Sequence, residues 1–327
     1  MKILVTGGTG FTGSALVLRL LSLGHSVRSL DYQKGVFDND IRKAGGELVT
    51  GSITDADLVN KCTEGVEFVF HLAAAFRELN VPMEHYFNAN VKGTRNVMSA
   101  AKEKKVKKVV YCSTQGVHGH IKNPPGDENS PILPEDYYQQ TKYEGELVAQ
   151  EFIREGMNVT IIRPTAIYGP GDIGRFQMIY QRVNKGFFPM FGNGDTFYHP
   201  VYIDNLVDAF LVTMDLEKGR GETYIIADEE YVKIKDLVRR VGQAMGVDVK
   251  IMHFPLFPLI VAGHICEKAC KPFGITPPIF PRRVDWYRQV RAFRIDKAKR
   301  DLGYRPRIGL DEGLKITADW YRRQGLL

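Results

Sequence analysis

Eight consecutive residues constrain this chain more than any others: Thr6-Gly7-Gly8-Thr9-Gly10-Phe11-Thr12-Gly13, with glycines spaced G-x-x-G-x-x-G. They follow a short apolar run, Lys2 to Thr6. They precede Leu16, Leu20 and Leu23, which recur at i, i+4 and i+7 as on one face of a helix that Gly24 would end. Strand, glycine turn and helix in that order open a βαβ unit. Glycines there permit a tight turn, let backbone approach a pyrophosphate and allow helix to pack closely on strand, while the helix N-terminus supplies N–H donors and a positive dipole end.

Further β-rich runs alternate with helical patterns: His25 to Leu30, Glu47 to Thr50, Val66 to Phe70, Lys107 to Cys112 and Asn158 to Arg163. That alternation predicts an α/β protein with a Rossmann-type doubly wound parallel sheet of about seven strands, to which Glu222 to Ile226 returns as a late strand. Beyond Pro164, proline, glycine and aromatic residues cluster and the pattern loosens into a smaller C-terminal substrate lobe. The expected division is discontinuous: residues 1–164 plus 201–229 bind nucleotide, and 165–200 plus 230–327 form the substrate lobe. Asp31 closes the second strand 18 residues after Gly13. A carboxylate there can accept hydrogen bonds from ribose hydroxyls and would repel a 2′-phosphate, favouring NAD over NADP, although Arg28 and Lys34 lie close by.

Composition removes other classes. With 44% hydrophobic and 25% charged residues, the chain can bury a large core and is neither disordered nor collagenous. Four scattered cysteines make no disulfide framework, which points to a reducing, cytoplasmic setting. Cys266, Cys270 and His264 lack the ligand set of a zinc site, so no metal is expected. The N-terminus carries no signal-peptide pattern. The longest apolar stretch, Phe254 to Ala262, is too short to span a bilayer; with Pro272, Pro277 and Pro278 downstream it suits a pocket wall or a shallow, weak membrane contact, with ordinary core packing the better expectation for most of it. Net charge is +6, yet Pro281 to Arg307 alone holds ten basic and three acidic residues, or +7, leaving −1 elsewhere. No nucleic-acid motif accompanies that stretch, so a solvated face or the rim of an anionic-ligand site is the better expectation.

A second constellation is Tyr138-Gln139-Gln140-Thr141-Lys142, with Asp136 placed to cap the helix. Tyr138 and Lys142 stand one turn apart on a shared face. A free tyrosine titrates near 10, so acid/base work at neutral pH requires a lowering of roughly 2 to 3 units, or about 3 to 4 kcal/mol. A neighbouring ammonium and a positively charged nicotinamide ring would both favour the phenolate. Ser113-Thr114 ends the fifth strand with hydroxyls that could reach a substrate oxygen.

Assembled, these residues resemble the extended short-chain dehydrogenase/reductases, the NAD-dependent epimerase/dehydratase superfamily. Matching landmarks run along essentially the whole chain: the glycine motif, Asp31, Ser52-Ile53, His71-Leu72-Ala73-Ala74, Asn90-Val91-Lys92-Gly93-Thr94, Ser113-Thr114, Tyr138 to Lys142 and Arg163-Pro164. The resemblance implies Tyr138 as acid/base, Lys142 on the nicotinamide ribose and Thr114 orienting substrate. It also implies NAD contacts from Gly7, Gly10, Phe11, Thr12, Gly13, Asp31, Ser52, Ile53, Leu72, Ala73, Ala74, Asn90, Ser113, Tyr138, Lys142 and Pro164. His118 stands where the family usually has the tyrosine of V-Y-G. No asparagine shortly follows Arg163, and no arginine stands in Gly194 to Pro200, two departures from the sugar-nucleotide members. Val201 to Ala209 and Phe293 to Ala298 look instead like the 3β-hydroxysteroid and sterol dehydrogenase branch.

The implied activity is hydride transfer at a secondary alcohol or ketone of an apolar small molecule. The alternative is a sugar-nucleotide epimerase or dehydratase using the basic stretch for phosphates. A cofactor sensor without catalysis is disfavoured by the intact Tyr138, Lys142 and Thr114. Relatives commonly form homodimers through helices like Tyr86 to Lys104 and Tyr137 to Arg154.

Overall fold

The computed structural model describes residues 1–76, 81–270, 273, 275 and 284–327. Pro272, Pro277, Pro278, Arg282 and Arg283, expected in the apolar wall and the basic stretch, lie outside the described residues. Seven strands, β1 (Lys2–Thr6), β2 (Ser26–Asp31), β3 (Glu47–Thr50), β4 (Phe68–His71), β5 (Lys108–Cys112), β6 (Val159–Pro164) and β7 (Thr223–Ile226), form one sheet in the order β7-β6-β5-β4-β1-β2-β3. All its pairings are parallel. The chain winds outward from β1 to β3 and then restarts on the other side at β4. The C-terminal ends of β1 and β4 therefore flank the crevice where such sheets bind ligands.

Strand periodicity assigns the two faces. Ile3, Val5, Phe68, Phe70, Val110 and Ile162 meet Leu16 and Leu20 of α1 (Phe11–Ser22) and Leu206 and Phe210 of the Ile203–Val212 helix. The alternate residues Leu4, Val69, Val109, Tyr111 and Ile161 meet the opposite layer. That layer comprises α3 (Ala56–Thr63), α4 (Met83–Phe87), α5 (Thr94–Glu103) and α6 (Tyr137–Arg154), whereas α2 (Asp38–Lys43) packs through Ile41 on the α1 side. Truncating one of these buried aliphatic residues to alanine costs about 2–5 kcal/mol. Leu23 departs from expectation: α1 ends at Ser22, and Leu23 is the C-cap, 52% exposed. Gly24 follows with φ of +80°, the left-handed cap that glycine adopts without strain.

His71 ties the layers together. Fully buried, it lies 2.7 Å from Thr6 Oγ1 through Nδ1 and 3.0 Å from Thr94 Oγ1 through Nε2, linking β4 to β1 and α5. Burial pushes its pKa down to about 3, so it stays neutral.

Tyr168, Phe176, Tyr180, Tyr198, Tyr202, Leu237 and Tyr321 build a separate aromatic core. It joins the helices Arg175–Asn184, Ile234–Met245 and Leu310–Arg323. Small pairs add to this part, among them Phe187–Phe191 with Lys250–Phe254 in parallel. Ile295, Ala298, Leu302 and Tyr304 pack instead on the sheet. No helix among the described residues is long and apolar enough to cross a membrane.

Candidate active site

The glycine turn is held by close backbone approach from two sides. A Cβ on Gly7, whose φ is +72°, would stand 2.7 Å from the backbone nitrogen of Ala73 just beyond β4. A Cβ on Gly13 would stand 2.0 Å from the Gly7 carbonyl oxygen. Gly10 starts α1 without any side-chain cap, so the first N–H groups of that helix remain for an external anion. Asp31, buried at the end of β2, accepts hydrogen bonds from the N–H groups of Thr9 (3.2 Å) and Gln33 (3.4 Å), bracing the turn. Arg28 is committed elsewhere, to Glu47 at 2.9 Å and the Cys62 carbonyl at 2.8 Å. An uncapped helix end beside glycines that admit no side chain fits the diphosphate of a dinucleotide.

From this turn a cleft of about 350 Å³ runs along the strand ends. It brings together Gly7, Gly10, Phe11, Thr12, Gly13, Leu72, Ala74, Ser113, Thr114, Tyr138, Lys142 and Pro164, all expected at the site. Asp31, Ser52, Ile53, Ala73 and Asn90 do not line it. Ser52 Oγ lies 2.8 Å from Thr54 Oγ1, and Ile53 packs under Gly93. Asn90, fully buried on a π-turn spanning Asn88–Gly93, accepts from the Ala75 N–H at 2.8 Å and donates to Thr141 Oγ1 at 3.0 Å. Its amide thereby pins the loop after β4 to α6.

The Asp136 side chain caps α6 by accepting from the Gln139 N–H at 2.8 Å, which sets the rotation that turns Tyr138 and Lys142 into the cleft. The Tyr138 ring packs on Phe76 with centroids 4.8 Å apart. Lys142 donates to the Cys112 carbonyl at 2.7 Å and stands 4.5 Å from the Tyr111 ring centroid. Burial lowers its pKa to about 8, opposed by Cys112 and then by the Glu146 carboxylate, so it is mainly an ammonium at neutral pH. Burial also pushes the Cys112 thiol up to about 11, which makes it inert. Thr114, which lines the cleft, opens a short turn, and its Oγ1 accepts from the Gly116 N–H at 3.0 Å.

Several contributors escaped the sequence reading. Ser113 spends its hydroxyl on Glu146 at 2.8 Å, and Glu146 pairs with Arg163, both buried. Arg163 Nη1 in turn lies 3.0 Å from His118 Nε2, so His118, where the family usually has tyrosine, extends an internal network. The one available signal was spacing: Glu146 follows Lys142 by four residues, hence the same helix face. Of the basic stretch, Lys297 and Arg307 pair with Glu222 (2.7 Å) and Asp208 (2.8 Å), Arg300 pairs with Asp301 (2.7 Å), and Arg291 lines the cleft. Leu72, Phe76, Ile167, Phe176 and Tyr198 supply apolar wall. Cys266 and Cys270 are free thiols with sulfurs 4.0 Å apart.

A parallel sheet with a glycine turn at its switch point, facing a Tyr-x-x-x-Lys helix across one cleft, defines a nucleotide-dependent oxidoreductase of the extended short-chain type. Residues 3–227 match the model of the NAD dependent epimerase/dehydratase family, and the chain belongs to that family. It is an enzyme of the dehydrogenase, epimerase and dehydratase kind, and its cofactor is NAD. It is similar to the 3beta-hydroxysteroid-dehydrogenase/decarboxylase isoform 2 of Arabidopsis thaliana, 31% identical across 96% of this chain and 61% of that protein. The chain thus spans less than two thirds of that relative's length. It is also similar to the 3 beta-hydroxysteroid dehydrogenase/Delta 5-->4-isomerase of Mycobacterium tuberculosis, 30% identical over 98% of this chain and 90% of that one. Among solved structures, the UDP-glucose 4-epimerase of Thermotoga maritima superposes with a TM-score of 0.82 at 27% identity, covering 99% of each chain.

Proposed function

We propose that the protein oxidises a secondary alcohol, or reduces the matching ketone, on an apolar substrate of sterol-like or alicyclic shape. The observation that carries this reading is one cleft that gathers Tyr138, the buried Lys142 and Thr114 beside the glycine turn and walls the remaining space with Leu72, Phe76, Ile167 and Phe176. When bound, NAD supplies the hydride acceptor or donor. Gly7, Gly10, Gly13 and the start of α1 hold its diphosphate, with Asp31, Ser52, Ile53 and Asn90 serving its adenosine half and the loop beside it. Thr114 donates a hydrogen bond that orients the substrate oxygen. Tyr138 takes or returns the hydroxyl proton at its phenolic oxygen, and the Lys142 ammonium favours the phenolate. The apolar walls exclude water from the reacting carbon.

One observation favours a second reading, a sugar-nucleotide epimerase: Arg291 lines the cleft and could hold a diphosphate. Denaturing freshly purified protein and quantifying released nicotinamide nucleotide separates the two. A dehydrogenase exchanges its cofactor at each turnover, so the expected result is an empty site that binds added NAD. Near-stoichiometric bound NAD would instead support the epimerase, which regenerates its cofactor in every cycle.

We further propose a cytoplasmic homodimer, joined through Tyr86 to Lys104 and Tyr137 to Arg154, that rests weakly on lipid. The Leu256–Cys270 helix departs from the core packing expected for most of Phe254 to Ala262 and supports the lipid contact: Phe257 is 74% and Ile265 63% exposed, and within it only Gly263 is buried. At 15 residues it is about 22 Å long, too short to span a bilayer of about 30 Å. Light scattering should read the mass of two chains. Flotation with anionic vesicles should carry the protein upward, and Phe257→Ser/Ile265→Ser should leave it at the bottom; equal flotation of both would exclude this helix as the contact.

A further inference from the structure

We infer that Glu146 is a positioning residue that keeps Lys142 protonated and anchors the end of β5 beneath the substrate oxygen. The inference rests on the reading of Tyr138 and Lys142 as the acid/base pair. Glu146 lies one turn beyond Lys142 on α6 and is fully buried. Its Oε2 accepts from Ser113 Oγ at 2.8 Å and from Arg163 Nε at 3.1 Å, and its Oε1 accepts from Arg163 Nη2. Ser113 sits between Cys112, whose carbonyl holds the Lys142 ammonium, and Thr114, whose hydroxyl faces the cleft. One carboxylate therefore restrains the peptide that carries both groups. Arg163 is steadied from behind by His118, whose Nδ1 lies 3.0 Å from the Ser130 carbonyl oxygen. That contact requires the Nδ1–H tautomer, leaving Nε2 to accept from Arg163.

Two groups oppose the desolvation of the Lys142 ammonium, Cys112 first and then Glu146, and of these Glu146 is the carboxylate. From β5, the Tyr111 hydroxyl and the Cys112 thiol are both raised by burial and remain uncharged near neutral pH. From β4, His71 is neutral. On α6 itself stand Tyr138, whose phenolate the lysine is to favour, and Glu146, whose charge opposes the desolvation of the ammonium. Beyond Glu146 lies the opposing charge of Arg163 from β6. Removing the carboxylate would leave that buried guanidinium uncompensated on the Lys142 side.

The test is a pH titration of Lys142 in the full chain, with and without NAD, by NMR of [ε-13C]lysine, the resonance being assigned by its loss in Lys142→Met. Glu146→Gln is expected to lower the Lys142 pKa by about one unit, whereas Arg163→Gln, which leaves the carboxylate uncompensated, should raise it. Opposite shifts are not what loosened packing produces. An unchanged value in Glu146→Gln, or a fall of equal size in both variants, would overturn the inference. If Glu146→Gln does not fold, Arg163→Gln decides alone: a rise supports the inference, and a fall or no change sinks it. The titration reads the lysine without turnover, so a protein inactive on every alcohol would refute the proposed reaction and leave this result standing.

Discussion

Tyr138→Phe is expected to lower kcat by about 10²- to 10⁴-fold while NAD affinity stays within about twofold of wild type. Phenylalanine keeps the ring that packs on Phe76 and removes only the oxygen proposed to exchange the proton. The proposed nucleotide contacts rest on different atoms, chiefly the glycine turn and the start of α1, so the two effects should separate. Stopped-flow hydride transfer and a calorimetric titration with NAD measure them independently. Tyr137→Phe is the matched control, because its i+4 neighbour is Thr141 and not a lysine. Turnover retained in Tyr138→Phe would remove Tyr138 from the acid/base role.

The second large effect concerns Gly13→Val, expected to abolish measurable NAD binding and to destabilise the fold by about 3 kcal/mol or more. Position 13 tolerates no Cβ: it would meet the Gly7 carbonyl oxygen at 2.0 Å and Gly8 Cα at 2.7 Å, both backbone atoms that cannot rotate away. Relief would require lifting α1 off β1, and that movement would displace the N–H groups proposed to hold the diphosphate. Gly10→Ala serves as the graded comparison, since its added Cβ stands 3.3 Å from the nearest backbone atom and needs only a small adjustment. Thermal unfolding and fluorescence titration with NAD should rank the variants wild type, Gly10→Ala, Gly13→Val. Near-normal NAD affinity in Gly13→Val would mean that close helix packing is not what shapes the phosphate site.

Much of this architecture was legible because its signals are local. The strand, glycine turn and helix at residues 2–22 are contiguous, and all seven strands of the sheet were anticipated to within two residues at either end. Tyr138 and Lys142 declare themselves by a spacing of four on a capped helix, a relation that helix geometry guarantees. Leu23 marks the limit of such reasoning: its periodicity continued one residue past the point where α1 stops.

Partnerships between distant residues were not legible. The hydroxyl of Ser113, a residue that lines the cleft, is held by Glu146, 33 residues away. The Asn90 amide is engaged with Ala75 and Thr141, 15 and 51 residues away. Nothing local marked Arg291 as a residue that lines the cleft, because that depends on where the segment after Val284 meets Phe197 and His199. Local periodicity and backbone stereochemistry were therefore enough to specify the doubly wound sheet, the glycine turn and the one-turn spacing that brings Tyr138 and Lys142 to the same cleft. Which polar groups face the cleft and which are spent inside was settled only by packing, since a buried hydroxyl, amide or guanidinium must find its partner in space whatever its distance along the chain.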